Sequence, residues 1–196
     1  GDAASPGKPR KAKPGIEREA ADADAAADRF AGIPTGPYVE AKFKKVPRKD
    51  LDELDNFQLI ELVTKIVEIE TPVHGEEAMR RAADIYKVER MTSKLTRLLE
   101  SALADAVNAG KLENGLGFYS LPGVSTVDVV RSRADVESPG LRKPEYLPPA
   151  EVQFALESVA RVAIGGSKED AVIESSRLLG FASKRSNLRE VIERER

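Results

Sequence analysis

The stretch Val63–Leu103 has the sequence VTKIVEIETPVHGEEAMRRAADIYKVERMTSKLTRLLESAL, and a second version of it begins 93 residues later. At that offset, with no gap, five positions are identical: Glu76/Glu169, Ala78/Ala171, Ser93/Ser186, Leu95/Leu188 and Glu100/Glu193. Apolar positions agree more widely, as at Ile66/Val159 and Leu98/Val191. Since similarity at a fixed offset indicates one supersecondary unit used twice, the sequence predicts two related units.

The first unit is predicted to hold three helices followed by a β-hairpin. Apolar residues recur at helical spacing, and turn or capping residues separate the runs. The predicted helices run from about Asn56 to before Pro72, over Gly75–Tyr86, and from a cap at Thr92 or Ser93 to about Ala109. The apolar side of the first helix is expected to contain Phe57, Ile60, Val63, Ile66 and Val67. Asn114-Gly115 then predicts the tight turn of a hairpin. This order is typical of a winged helix-turn-helix domain, in which the hairpin is the wing.

The second unit is predicted to be shorter. Its helices are expected over Ala150–Ile164, from a capping box at Ser167 to about Leu179, and from a cap at Ser183 or Ser186 to the end. No sequence remains for a wing. The predicted fold is therefore mainly α with a small β-hairpin, as two winged-helix or helix-turn-helix-like repeats of three helices, the second lacking a wing.

The same patterns predict four segments along the chain. They are a disordered linker or tail at 1–31, the first unit at 32–123, a proline-rich connector at 124–147 and the second, truncated unit at 148–196. The tail is rich in Ala, Asp, Pro, Gly and Lys, which bury too little surface to offset the entropy of ordering. Short strands are expected near Tyr38–Phe43, as an edge strand, and over Thr126–Arg131.

Composition favours a soluble cytoplasmic protein without catalytic chemistry. The chain has 41% apolar and 33% charged residues, no cysteine, one histidine and a net charge of −2. No apolar run is long enough to span a membrane, and no secretory signal is present. Phosphate-loop, Rossmann and nucleophile-elbow motifs are missing, as is any paired-histidine metal motif. We therefore expect no enzyme activity, no cofactor and no metal.

The exposed N-terminal part of each third helix is the candidate nucleic-acid site, because helix-turn-helix units place that surface against the major groove. The candidates are Arg90, Thr92, Ser93, Lys94 and Arg97 in the first unit, and Lys184, Arg185, Asn187 and Arg189 in the second. Arg and Lys suit phosphates and guanine edges, and Asn suits adenine. Lysines and arginines on a merely solvated helix face are the alternative interpretation.

His74 enters the second predicted helix, where capping or packing is its expected role. A phosphate contact is the alternative. The acidic pairs Glu76-Glu77 and Glu169-Asp170 lie in first helical turns, where the helix dipole favours negative charge. They need no catalytic explanation.

Three motifs, Ile66–His74, Ala106–Leu112 and Leu178–Phe181, carry a family resemblance. Over residues 38–196 the chain resembles an uncharacterised winged-helix-like family found near the C-terminus of large bacterial proteins related to superfamily-one helicases, often beside Vsr-like nuclease domains. The resemblance implies a noncatalytic accessory module, with DNA and the helicase and nuclease domains of the same or a partner chain as partners.

Two functions are compatible with the sequence. One is a module that binds duplex or branched DNA through the helix tips. The other is a structural or protein-docking module that uses the hairpin, for which exposed Leu116, Phe118 and Tyr119 would be the sign.

Overall fold

The computed structural model describes residues 30–46, 48–124, 127–163 and 167–181. Within these ranges the chain is mainly helical, with a small antiparallel sheet. The elements are β1 (Thr35–Pro37), α1 (Asn56–Glu70), β2 (Val73–His74), α2 (Gly75–Ile85), α3 (Ser93–Asn108), β3 (Glu113–Gly115), β4 (Phe118–Ser120), β5 (Val130–Ser132), α4 (Pro149–Val162) and α5 (Lys168–Leu178), with 3₁₀ turns at Leu51–Glu53, Pro139–Arg142 and Pro144–Tyr146. None of these helices is long and apolar enough to cross a bilayer.

The helices α1, α2 and α3 enclose the first core. The carboxylate of Asp55 accepts the N–H of Gln58 at 2.8 Å, which satisfies an open donor at the start of α1. The buried apolar residues are Leu59, Leu62, Val63, Ile66 and Val67 from α1, Ala78, Met79 and Ala82 from α2, and Leu95, Leu99, Ala102, Leu103 and Ala106 from α3. Their three- and four-residue spacing explains why periodicity predicted these helices. Phe57, predicted on the apolar side of α1, is instead 70% exposed.

A three-stranded antiparallel sheet lies against this core. β4 is the central strand, between β2 and β3. Tyr119 of β4 pairs with Val73 on one side and Asn114 on the other. The sheet brings the entry to α2 and the hairpin together.

The hairpin is present, but its turn lies two residues later than predicted. Gly115 pairs with Phe118, and the central residues Leu116 and Gly117 have φ values of 55° and 84°. Asn114 stays in β3, where its side-chain oxygen accepts the N–H of Gly117 at 3.3 Å. A two-residue turn with two positive φ values suits the twist of a hairpin. The prediction that Asn114 and Gly115 form the turn was therefore wrong. Leu116 and Gly117 form it instead, and Leu116 occupies the first central position, where Asn is usually favoured.

A second core draws together distant parts of the chain. It contains Phe30, Ile33, Val130, Leu147, Val152, Ala155, Val159, Leu179 and Phe181. β1 pairs in parallel with β5, with Thr35 opposite Val130. In the segment before α1 (residues 32–46, the lead-in), the strand is therefore β1, which lies ahead of the predicted edge strand at Tyr38–Phe43. The strand predicted over Thr126–Arg131 is Val130–Ser132.

The helices α4 and α5 lie where the 93-residue offset places the first two helices of the repeat. α1 begins at Asn56 and α4 at Pro149, while the bounds of α2 map onto those of α5 at both ends. The predicted capping box at the start of α5 is confirmed, since Ser167 Oγ accepts the N–H of Asp170 at 3.1 Å. The predicted last helix, with its Ser183 or Ser186 cap, and the predicted tail up to residue 29 lie outside the described residues.

Glu151 and Glu70, two of the buried carboxylates, hold the connector and the lead-in against the helices. Glu151 at the start of α4 accepts hydrogen bonds from Arg133 at 2.7 Å and from Arg131 at 3.0 Å. Arg131 also donates to the backbone oxygen of Glu70 at 2.8 Å, at the end of α1. One guanidinium thus joins the last turn of α1 to the first turn of α4.

The side chain of Glu70 is the second buried carboxylate. It accepts hydrogen bonds from the Tyr38 hydroxyl at 2.8 Å, the Ala41 N–H at 2.8 Å and Arg81 Nε at 2.6 Å. Burial and the nearby Glu70 charge raise the pKa of Tyr38 well above its ordinary value, so its hydroxyl remains a donor. The lead-in is therefore fixed along α1 by charged hydrogen bonds.

Candidate nucleic-acid interface

The N-terminus of α3 is built by one capping threonine. Thr92 Oγ1 accepts the N–H of Leu95 at 3.2 Å, which ends the preceding turn and starts the helix. Leu95 and Leu99 are buried. The helix is therefore docked by one face, and its first turn presents the opposite face to solvent.

All five candidates of the first unit are exposed in this region: Arg90, Thr92, Ser93, Lys94 and Arg97. The structure thus brings them together at one helix tip. The cations among them differ in whether their charge is neutralised, because Lys94 Nζ forms an ion pair with Asp52 at 2.9 Å. Arg90 and Arg97 make no ion pair with the described part of the chain, and they are the cations most available to an anionic ligand.

The candidates of the second unit, Lys184, Arg185, Asn187 and Arg189, lie outside the described residues. Their grouping at a second helix tip stays a prediction.

The hairpin presents one strongly exposed apolar side chain. Leu116 is 84% exposed at the turn, whereas Phe118 and Tyr119 are half-buried. Phe118 contacts His74 edge-on at 5.2 Å between ring centres. The ring of Tyr119 lies so close to Gly75 that a Cβ there would be 2.9 Å from Tyr119 Cε2. Of the three, only Leu116 is fully exposed to a partner.

His74 caps α2 and packs between aromatic rings. Its Nδ1 accepts the N–H of Glu76 at 3.3 Å, and its ring stacks on Tyr146 at 4.3 Å. The hydroxyl of Tyr146 in turn donates to the Glu76 carboxylate. Burial lowers the pKa of His74, and the carboxylates of Glu76, Glu77 and Glu145 only partly oppose this effect. These contacts agree with the capping and packing interpretation.

Acidification is expected to destabilise the protein partly through His74. Because the pKa of His74 is lower in the folded state than in the unfolded state, the unfolded chain takes up the proton first as pH falls from about 7 to about 5. The His74→Asn variant keeps a capping acceptor but cannot titrate, so its unfolding free energy should fall less over this interval. Urea unfolding at both pH values measures the difference. Equal losses in the two proteins would contradict the prediction, since the carboxylates titrate alike in both.

Within the described ranges, no group of three or more His, Cys, Asp or Glu side chains is arranged to hold a metal ion. Several acidic residues instead occupy caps and ion pairs, such as Asp55 and Glu151. Glu77, for example, is fully buried and accepts a hydrogen bond from the hydroxyl of Ser138 at 2.6 Å.

Sequence analysis missed a basic segment at residues 42–49, with the sequence KFKKVPRK. Its first five residues line a groove of about 390 Å³ together with α1 and Tyr86. Exposed Phe57 stands at the same groove. The available signal was the cluster of lysines and one arginine around Phe43.

Comparison with known families gives one partial match. Residues 52–97 match a family described as a protein of unknown function (DUF3320). The match runs from the 3₁₀ turn before α1 into the first turns of α3, and it covers much less than the resemblance expected over residues 38–196. It indicates an uncharacterised domain family over these residues.

Comparisons with curated proteins and with solved structures find no significant match.

Proposed function

We propose that the chain is a noncatalytic module that binds duplex or branched DNA and serves helicase or nuclease domains of the same or a partner chain. The observation that carries this proposal is the order helix–strand–helix–helix–strand–strand, with β4 between β2 and β3. This is the order of a winged helix-turn-helix unit, whose third helix enters the major groove. Here α3 would be that helix, and the hairpin would be the wing.

The charges at the tip of α3 support contact with a phosphate backbone. Arg90 and Arg97 are exposed, and guanidinium groups bind phosphate oxygens and guanine edges in two-pronged geometry. The ion pair of Lys94 with Asp52 would have to open, or would hold Lys94 away from the DNA. Affinity should therefore depend more on the two arginines than on Lys94.

The second unit would add a more basic tip through Lys184, Arg185, Asn187 and Arg189. Association with helicase and nuclease domains rests on the sequence resemblance alone. In such a protein the module would hold DNA while the neighbouring domains act on it.

Binding to a duplex DNA fragment should be salt-sensitive and should weaken about tenfold or more when Arg90 and Arg97 are both changed to alanine. Fluorescence anisotropy at two salt concentrations measures both effects. The double variant Arg161→Ala with Lys168→Ala removes the same charge from exposed positions on α4 and α5 and is the matched control. Wild-type protein that shows no salt-sensitive binding, or an equal loss in both variants, would count against the proposal.

A protein-docking module is the second candidate, and one observation favours it. Leu116 projects at the tip of the hairpin, beside a groove of about 430 Å³ lined mainly by apolar residues. Phe118, Val127 and Pro149 are among them. Light scattering that shows self-association through this surface, without duplex binding, would favour docking over the DNA proposal.

A further inference from the structure

The groove beside α1 joins cationic and aromatic side chains in one concave surface. Residues 42–46 form one wall, the residues at positions 57, 58, 61, 62 and 65 of α1 form the other, and Tyr86 closes one side. At 1.5 Å per residue, the part of α1 from position 57 to 65 is roughly 12 Å long. The groove is separate from the tip of α3, since neither Arg90 nor Arg97 lines it.

The groove is strongly positive. Four lysines line it: Lys42, Lys44, Lys45 and Lys65. Glu61 is its only lining carboxylate, and Lys111 from outside the groove pairs with it at 2.7 Å. Lys42 pairs with Glu137 at 2.6 Å, whereas Lys44 and Lys45 are exposed and have no ion pair within the described ranges. An anionic ligand would therefore meet two lysines, Lys44 and Lys45, whose charge is not neutralised by an ion pair in the described part of the chain.

Aromatic surface accompanies this charge. Phe57 is 70% exposed at the start of α1, and Phe43 and Tyr86 are half-buried in the groove walls. A phenylalanine exposed to this extent leaves one ring face in water, which is unfavourable unless a ligand covers it. Lysines for phosphates, combined with an open ring face for bases, are the recurring features of single-strand binding sites.

We propose that this groove binds single-stranded nucleic acid, with a base stacked on Phe57 and the phosphates held by Lys44, Lys45 and Lys65. A duplex fits less well, because its base faces are covered by their neighbours and offer nothing to an exposed ring. An acidic peptide would neutralise the lysines, but its carboxylates do not stack on Phe57 as a base does. The inference rests on the proposed nucleic-acid-binding function and extends it, since one chain would hold duplex at α3 and a single strand beside α1.

The test uses the full chain and a fluorescent oligothymidylate about 15 nucleotides long. Phe57→Ala should weaken binding about fivefold or more through lost stacking. Lys44→Gln with Lys45→Gln should weaken it and reduce its dependence on salt concentration. The matched controls are Ile173→Ala, an exposed apolar residue on α5, and Arg161→Gln with Lys168→Gln, another exposed pair of cations. The controls should bind as wild type does.

Phe57→Trp gives a second readout, because indole retains a stacking face. This variant should bind, and its fluorescence should be quenched when oligothymidylate is added. Unchanged affinity in the Phe57→Ala and lysine variants would overturn the inference, even if Arg90 and Arg97 prove essential for duplex binding. Polyglutamate that displaces the oligonucleotide equally well from wild type and Phe57→Ala would also overturn it, and would identify an acidic protein as the occupant. Loss of duplex binding alone would not contradict single-strand binding in the groove, because Arg90 and Arg97 do not line the groove.

Discussion

Replacing Glu151 by glutamine is expected to lower the free energy of unfolding by about 3–5 kcal/mol, because it leaves buried positive charge without its partner. Glu151 is fully buried, and Arg133 is 1% exposed. The neutral amide keeps the shape of the side chain but removes the charge that the two arginines share. Arg131 keeps three backbone acceptors, at Glu70, Thr71 and Pro72, whereas Arg133 keeps one, the oxygen of Arg131, and is more deeply buried. Arg133 should therefore account for most of the loss. Urea unfolding followed by circular dichroism measures the change.

Glu151→Gln is also expected to change how the free energy of unfolding depends on pH. Burial raises the pKa of Glu151, but the charges and hydrogen bonds of Arg133 and Arg131 outweigh it and hold the pKa below its ordinary value. The stabilisation is therefore present above the unfolded-state pKa and is lost as pH falls through the folded-state pKa. Glu151→Gln should lack this component. Glu157→Gln, an exposed change on the same helix, should unfold like wild type; a similar loss in both variants would exclude the buried ion cluster as the cause.

This ion cluster also shows why part of the fold could not be predicted. The connector was assigned from its prolines, which locate turns but do not identify what the chain between them contacts. Arg133 is buried there and Arg131 is half-buried because Glu151, about twenty residues later, faces them. Nothing in the local sequence distinguishes such arginines from solvated ones. The parallel pairing of β1 with β5 joins positions 95 residues apart and is equally invisible to short-range patterns.

Sequence patterns predicted the helices well because helix starts and buried helix faces depend on residues close together in the sequence. Capping residues such as Asp55, Thr92 and Ser167 mark helix starts because each satisfies an open N–H within three residues. The apolar spacing of α1 and α3 predicts the buried faces for the same reason. Phe57 broke that pattern because it lies in the first turn of α1, where the groove rather than the core is its neighbour.

The location of the candidate site at the tip of α3 could be predicted from the sequence. The distribution of charge on that tip could not. Exposure of the α3 tip follows from its cap and its buried leucines. The ion pair of Lys94 with Asp52 does not follow, since it depends on how the 3₁₀ turn at Leu51–Glu53 lies against α3. Contacts between segments far apart in the sequence therefore determine which of several similar cations remains available to a ligand.

Replacing Gly180 by alanine is expected to cause the second large loss of stability. Gly180 follows α5 with φ of 84°, a conformation that costs an L-residue about 1–2 kcal/mol. A Cβ at this position would also overlap the backbone nitrogen of Ala134 and lie 2.6 Å from that of Arg133. These nitrogens are fixed, because the N–H of Arg133 donates to the Leu179 oxygen at 3.0 Å. Overpacking of this kind adds roughly 1–3 kcal/mol.

Gly110→Ala separates the two causes. Gly110 ends α3 with φ of 70°, and in the described ranges no atom beyond its local backbone lies within 4 Å of its Cβ position. It should therefore show only the backbone cost, while Gly180→Ala should show the backbone cost and the overlap together. Urea unfolding of both variants measures the difference. Equal losses would mean that the connector moves away from α5 without cost, and that residues 133 and 134 do not fix the end of that helix. A larger loss in Gly180→Ala would show that α5 and the connector form one packed unit, because only their close approach distinguishes the two glycines.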